Sequence, residues 1–367
     1  MARPLSALVL SPRPDTPGGV AAFAETMKAN FSYCRVTSLP VGQKPGEKEN
    51  IFAQAKRLIT LPLNAASLAR KGRFDVVHIN PSLNPKSLIR DGLILLMLRL
   101  ARFRRVLVSF HGWRPETEAF IRRTPFARAV FAWLLNGVGR ITVLSPAFRN
   151  SLQAIGVKGD RIAVTSTMFD GTTIRTGATP SASPRKTILF MSRFKRAKGV
   201  YELVGAFARL AEDFPDFDLV MAGDGKEDAA LREITARLGL EKRIIFPGYL
   251  QGAAKEKALQ DCSIFALPTS YPEGMPVALL EAMAAGKPLL TAKAGGIRHI
   301  VAEPSNGIVL DEVTIDTVAD GLRRLLRNPG FCEESGARNA VYAWQNFEAR
   351  AVTAKIEVLY REIAQLP

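Results

Sequence analysis

Signatures of disulfide and metal chemistry are missing from this chain. Three cysteines (Cys34, Cys262, Cys332) lie far apart with no C-x-x-C pair, which argues against a disulfide framework or a zinc knuckle. Three histidines (His78, His111, His299) are equally scattered, and no H-E-x-x-H or His/Asp cluster marks a metal site. Long apolar runs are missing too. Residues 93–98 form the longest run near the front, closed by Arg99, far short of the ~20 residues that span a bilayer. The opening MARPLSALVLSPRP has a short apolar run and no small-residue cleavage site. It reads as a first strand rather than a signal peptide, so the expected location is the cytoplasm. Acidic residues are scarce in one half only. Residues 1–180 hold 26 Lys+Arg against 10 Asp+Glu, whereas residues 181–367 hold 24 of each. The whole excess of +16 lies on the first half, which should attract nucleic acid, a phospholipid surface or a diphosphate-bearing substrate.

What is present is a globular composition, 47% hydrophobic over 367 residues, enough for two domains. Apolar strands alternate with helical patterns from end to end, which predicts an α/β fold with parallel sheets and helices on both faces. Residues 5–11 form a strand, followed by Gly18-Gly19 and a helix from about residue 20. That turn either faces a phosphate or is glycine-rich for shape alone. Residues 51–73 and 85–105 are basic and apolar at helical spacing. Each is either a core helix with a solvated basic end or a helix lying on an anionic membrane surface. His78 lies inside a strand and reads as packed or near the sheet edge. His111 follows the strand 106–110, where a side chain either points into a ligand crevice or is held by backbone. One helix is expected over residues 120–136. Residues 171–185, rich in Thr, Ser, Gly and Pro, read as a linker, and a second βα series begins at once.

That second half carries the chemistry. After its first strand, Arg193, Lys195, Arg196 and Lys198 place four cations beside a helix N-terminus, which already favours an anion. Cations in a first helical turn suggest a bound diphosphate, with Arg193 bidentate and Lys198 a point charge. A solvated basic loop is the plain alternative. The stretch 268–296 adds Glu273 in a Pro/Gly loop, Glu281 on an apolar helix, and the turn Gly295-Gly296 after a short strand.

Arg193 with Lys198-Gly199, then Gly223-Asp224-Gly225, then Glu273 and Glu281 spaced as E-x7-E, then Gly295-Gly296 resemble the retaining GT-B glycosyltransferases of family 4 in order and spacing. Gly18-Gly19 and His111-Gly112 match as well. The resemblance implies two Rossmann-like domains facing a central cleft: residues 1–175 on the acceptor side and residues 186–345 binding a nucleotide sugar. Residues 346–367 would form a helix returning to the first domain. It implies a hexosyltransferase using a UDP- or GDP-sugar, with no cofactor and no metal. Arg193 and Lys198 would bind the diphosphate, Glu281 the ribose, and Glu273 the sugar. Gly274, Met275 and Pro276 would line the sugar and phosphates. Gly248, Tyr249 and Leu250 would meet the base, Gly18 and Gly19 the donor, and His111 the donor sugar. The family commonly has Glu three residues beyond the Gly-Gly pair; here His299 stands there, so the donor loop differs. The expected acceptor is a lipid diphosphate, glycolipid or polysaccharide of the cell surface, met on the inner face of the membrane. The alternatives are a soluble enzyme with a small-molecule acceptor and a nucleotide-sugar epimerase. A nucleic-acid-binding protein fits less well, because RNA-recognition aromatics, a helix-turn-helix and a zinc site are missing.

Overall fold

The computed structural model describes residues 3–16, 18–43, 50–72, 74–174, 185–271, 274–301 and 305–366. It divides into two compact units, Met1–Met168 with Ala349–Pro367, and Phe169–Glu348. Of the Thr/Ser/Gly/Pro-rich stretch, residues 175–184 lie outside the described residues.

Unit 1 contains β1 (Leu5–Ser11), β2 (Cys34–Pro40), β3 (Val76–Ile79), β4 (Ser82–Leu83), β5 (Val106–Ser109), β6 (Gly112–Trp113), β7 (Arg140–Val143) and β8 (Ile162–Val164). Six of these form one parallel sheet in the order β2-β1-β3-β5-β7-β8, and β4 pairs with β6. The central strands are buried along their length, as apolar runs covered on both faces must be. β2 was invisible as a strand because it is an edge strand with alternating exposure and few apolar residues.

The last helix, Ala349–Ala364, belongs to unit 1. It inserts Val352, Ile356, Tyr360 and Ile363 among Ala7, Val9, Phe23 and Met27. Glu357 accepts hydrogen bonds from the Ser32 and Tyr33 amides at 2.9 and 2.8 Å. His78 is packed and fully buried, and bonds the Tyr360 hydroxyl at 2.8 Å and Ser109 Oγ at 2.7 Å. Burial pushes its imidazole down to about 3, so it stays neutral in the core.

Two helices, Pro115–Arg123 and Pro125–Leu135, replace the single one expected over 120–136. Pro125 lacks an amide proton and holds Thr124 extended (φ −102°, ψ 104°), which ends the first helix and starts the second. The basic segments fold as the helices Ile51–Lys71 and Pro85–Leu100. Among the described residues no helix is long and apolar enough to cross a membrane.

Unit 2 is a second parallel sheet of β9 (Lys186–Met191), β10 (Phe217–Ala222), β11 (Ile244–Gly248), β12 (Cys262–Leu267), β13 (Leu289–Ala292) and β14 (Gly307–Leu310), in the order β11-β10-β9-β12-β13-β14. The order reverses between β9 and β12. In open parallel sheets ligands bind outside the carboxyl ends of the strands at such a reversal.

Candidate active site

Four loops meet along the carboxyl edge of the unit 2 sheet, each tied to the next by backbone hydrogen bonds. The Gly223 amide donates to the Gly248 carbonyl (2.9 Å) and the Phe194 amide to the Asp224 carbonyl (2.6 Å). The Ser270 and Tyr271 amides both donate to the Ala197 carbonyl at 2.9 Å. Glycine is required by these contacts. A Cβ at Gly223 would lie 2.0 Å from the Ser192 carbonyl oxygen, one at Gly225 2.3 Å from that of Phe194, and one at Gly199 2.0 Å from that of Pro268. All three also have φ of 73–150°, a region that L side chains rarely adopt.

The cations are arranged differently from the expectation. They do not occupy the first turn of the helix Val200–Leu210, which contains Glu202 instead. They precede it, in the loop after β9 and in a 3-10 turn, Arg196–Lys198, and left-handed Gly199 separates that turn from the helix. The intervening αL residue aims the turn across the sheet edge toward the loop after β12. Lys198 and Lys195 place their Nζ atoms 5.0 and 5.1 Å from the centre of the Tyr271 ring, within cation–π range. Lys198 is only 9% exposed, whereas Arg193 is exposed. Burial, and then the charges of Lys195 and Arg193, push the Lys198 ammonium down to about 7. An anion bound here would restore the full charge.

Glu281 lies on the helix Val277–Ala284 and is 5% exposed. Its Oε1 accepts from Lys255 Nζ at 2.6 Å, from the helix Gly252–Asp261. Burial raises its carboxyl, Lys255 opposes that shift, and the Asp170 charge adds to it. Gly274, Met275 and Pro276 lead into the same helix, with Met275 buried and Pro276 as its N-cap. Gly248 ends β11 at φ 80°, next to exposed Tyr249 and half-buried Leu250. Glu273 lies outside the described residues. His299 sits exposed in a 3-10 turn, Ile297–His299.

In unit 1, Gly18 (φ 146°) precedes the helix Gly19–Ala29, and a Cβ built at Gly18 or Gly19 would meet nothing within 4 Å beyond its chain neighbours and its own helix backbone. His111 follows β5 and packs on Phe23 of that helix, ring centres 4.3 Å apart. Its Nε2 is 2.9 Å from Asn80 Oδ1. The Asn80 amide nitrogen donates to the Leu10 carbonyl, which fixes the oxygen toward His111. Nε2 therefore carries the proton, leaving Nδ1 as an acceptor. Burial pushes this imidazole down to about 4, so at neutral pH it is uncharged.

Sequence reasoning missed Tyr271, Lys255 and Asn80. Tyr271 stands two positions before Glu273, and an aromatic beside the acidic motif was the available signal. Lys195 was noted only as charge. Lys255 and Asn80 act through contacts between elements distant in sequence, which no local pattern announces.

Two family models match. The glycosyl transferase 4-like domain covers residues 5–167 and the glycosyl transferases group 1 domain residues 176–341. A phosphatidyl-myo-inositol mannosyltransferase of Mycobacterium leprae is 27% identical over 373 residues, 95% of this chain and 94% of the relative. An N-acetyl-alpha-D-glucosaminyl L-malate synthase of Bacillus anthracis is 26% identical over 178 residues, 48% of this chain and 46% of the relative. Among solved structures, Anabaena HepE in complex with UDP and glucose superposes with a TM-score of 0.76 at 19% identity, covering 99% of this chain and 100% of that one. Sucrose-phosphate synthase from Thermosynechococcus elongatus gives 0.75 at 18%, covering 98% and 99%. These structural likenesses establish the GT-B fold.

Proposed function

The chain belongs to the GT-B glycosyltransferases of family 4, and on that premise we propose that it moves a hexose from a UDP- or GDP-linked donor to a lipid-linked or glycan acceptor, with retention and without a metal ion. The observation that carries this reading is Lys198, buried beside Lys195 and Arg193 at the switch point of the unit 2 sheet. Three cations gathered at the carboxyl edge of a sheet suit an anion whose charge is spread over several oxygens. The donor diphosphate is that anion.

In the reaction, the bond between the anomeric carbon and the diphosphate oxygen breaks through an oxocarbenium-like state. Negative charge grows on the leaving diphosphate, and Lys198 and Arg193 stabilise it where it develops. The acceptor hydroxyl attacks the same face, and its proton passes to the departing diphosphate. Glu281 binds the ribose hydroxyls and Glu273 the sugar. His111, neutral with Nδ1 as acceptor, receives a hydrogen bond from a sugar hydroxyl. Peripheral attachment to an anionic membrane fits the basic first half, and places the acceptor among lipids.

Thermal unfolding in the presence of UDP, GDP, ADP and CMP tests the donor assignment, because a ligand that binds the folded state raises the midpoint. UDP or GDP should raise it and CMP should not. If none does, and no panel sugar nucleotide is hydrolysed or transferred, the donor reading fails.

A further inference from the structure

Unit 1 contains an apolar cavity of about 370 Å³ between the helices Pro85–Leu100, Pro115–Arg123 and Pro125–Leu135. Its inner wall includes Ile79, Val108 and Phe110, from the ends of β3 and β5. Its rim is apolar yet uncovered. Ile89 and Leu93 on one helix, and Phe126, Val130 and Trp133 on another, line the cavity and are exposed, Phe126 by 80%. They recur at i, i+4 and at i, i+4, i+7, so each helix turns an apolar stripe outward here. Exposed apolar patches with a cavity behind them mark binding sites.

This cavity borders a basic one. Trp133 lies under the Arg99 guanidinium, 4.1 Å from Cζ to the ring centre. Arg99, Arg102, Arg104 and Gly137 line the second cavity, of about 430 Å³. Gly137 leaves room for that guanidinium, since a Cβ there would sit 1.7 Å from Arg99 Nη1. Arg102 adopts φ 56°, in the left-handed region, just past the end of the helix Pro85–Leu100.

The geometry points to a binding site for a phosphate-headed lipid, with one hydrocarbon chain in the apolar cavity and the phosphate on Arg99, Arg102 and Arg104. Neither half fits a simpler occupant. Free phosphate has no use for an apolar cavity, and a neutral hydrocarbon has none for three guanidinium groups. Guanidinium forks match phosphate oxygens, and the stacked Trp133 holds one of them in place. At roughly 30 Å³ per group, close to the share of one water in the liquid, the apolar cavity has room for about a dozen methylenes. The three arginines precede β5, at the amino edge of the sheet, away from His111 at its carboxyl end, so this lipid site stands apart from the donor reading above.

Gly92 provides a clean test. It lines the cavity in mid-helix, and a Cβ there meets nothing outside its own helix nearer than Leu134 Cδ1 at 4.0 Å. Gly92→Leu should therefore fill the cavity while keeping or raising the unfolding temperature, because Gly is a poor helix former. The probes are dodecyl phosphate below its micelle-forming concentration, dodecanol and inorganic phosphate, titrated by calorimetry and by Trp133 fluorescence with Trp133→Phe as control. Dodecyl phosphate should bind more tightly than either other probe. Gly92→Leu should weaken dodecyl phosphate and dodecanol about tenfold or more, the effect of excluding two or more methylenes. Arg99→Gln with Arg102→Gln should weaken dodecyl phosphate and leave dodecanol unchanged. Equal affinity for inorganic phosphate, or no effect of Gly92→Leu, overturns the chain site. No effect of the arginine pair overturns the phosphate site. Nucleotide-induced thermal shifts distinguish the two readings. Lipid binding without a UDP or GDP shift sinks only the donor assignment, and the reverse sinks only this one.

Discussion

The Lys198 ammonium sits where its charge is resisted, and that gives donor binding a pH signature. Its folded value of about 7 lies below the ordinary 10.5, so the unfolded chain binds more protons between those limits. The free protein should gain stability as pH rises through that window. Diphosphate binding runs the other way. It favours the charged form, so binding UDP or GDP should take up a proton, and affinity should fall as pH climbs from about 7 to 9. Calorimetry in buffers of different ionisation enthalpy measures the uptake; a pH-independent affinity that survives Lys198→Ala would remove Lys198 from the site. Glu281 gives a second expectation. Removing its carboxylate leaves Lys255 three-quarters buried without that partner. Glu281→Ala should lower stability by about 2–3 kcal/mol and weaken donor binding. A double-mutant cycle with Lys255→Met that shows coupling below about 0.5 kcal/mol would mean the pair is not energetically joined.

The loops of unit 2 depend on glycines that support neighbouring loops. Gly223→Ala would drive a methyl into the Ser192 carbonyl and also strain φ 150°. It should destabilise unit 2 by about 2 kcal/mol or more and abolish nucleotide-induced stabilisation, since it displaces the loop that holds Arg193. Gly330→Ala, in open space at an ordinary φ, should change neither. Both are read by thermal unfolding with and without UDP. This level is also where the sequence was most and least informative. The βα rhythm, the cation run and the two glutamates are local patterns, and they could be read directly. The switch point between β9 and β12, the stacking of Lys195 and Lys198 on Tyr271, and the Lys255–Glu281 pair arise from strand order, which local periodicity does not encode. β14, only four residues at a sheet edge, gave no periodic signal at all. The Thr124-Pro125 break was visible as a proline, but the apolar pattern continued across it and suggested one helix.

The molecule as a whole should be acid-sensitive through its core. The folded His78 imidazole titrates near 3 and its unfolded counterpart near 6.5. Below about 6.5 the unfolded chain takes up the proton first, so stability should fall steadily toward pH 3. Calorimetric midpoints from pH 7 to 4.5 should drop, and His78→Gln should show a shallower slope; equal slopes would exclude His78 as a cause. That imidazole is held by Tyr360, on a helix supplied only after all of unit 2. During synthesis, unit 1 therefore waits while some 180 further residues emerge, about ten to forty seconds at ribosomal rates. Until then Phe23, Met27 and Val76 lack their cover of Val352, Ile356 and Tyr360. Unit 2 has no such debt and can finish first. A chain stopped after Glu348 should yield a protease-resistant unit 2 beside a unit 1 that is digested, and the nascent protein should be a chaperone client on its earlier half.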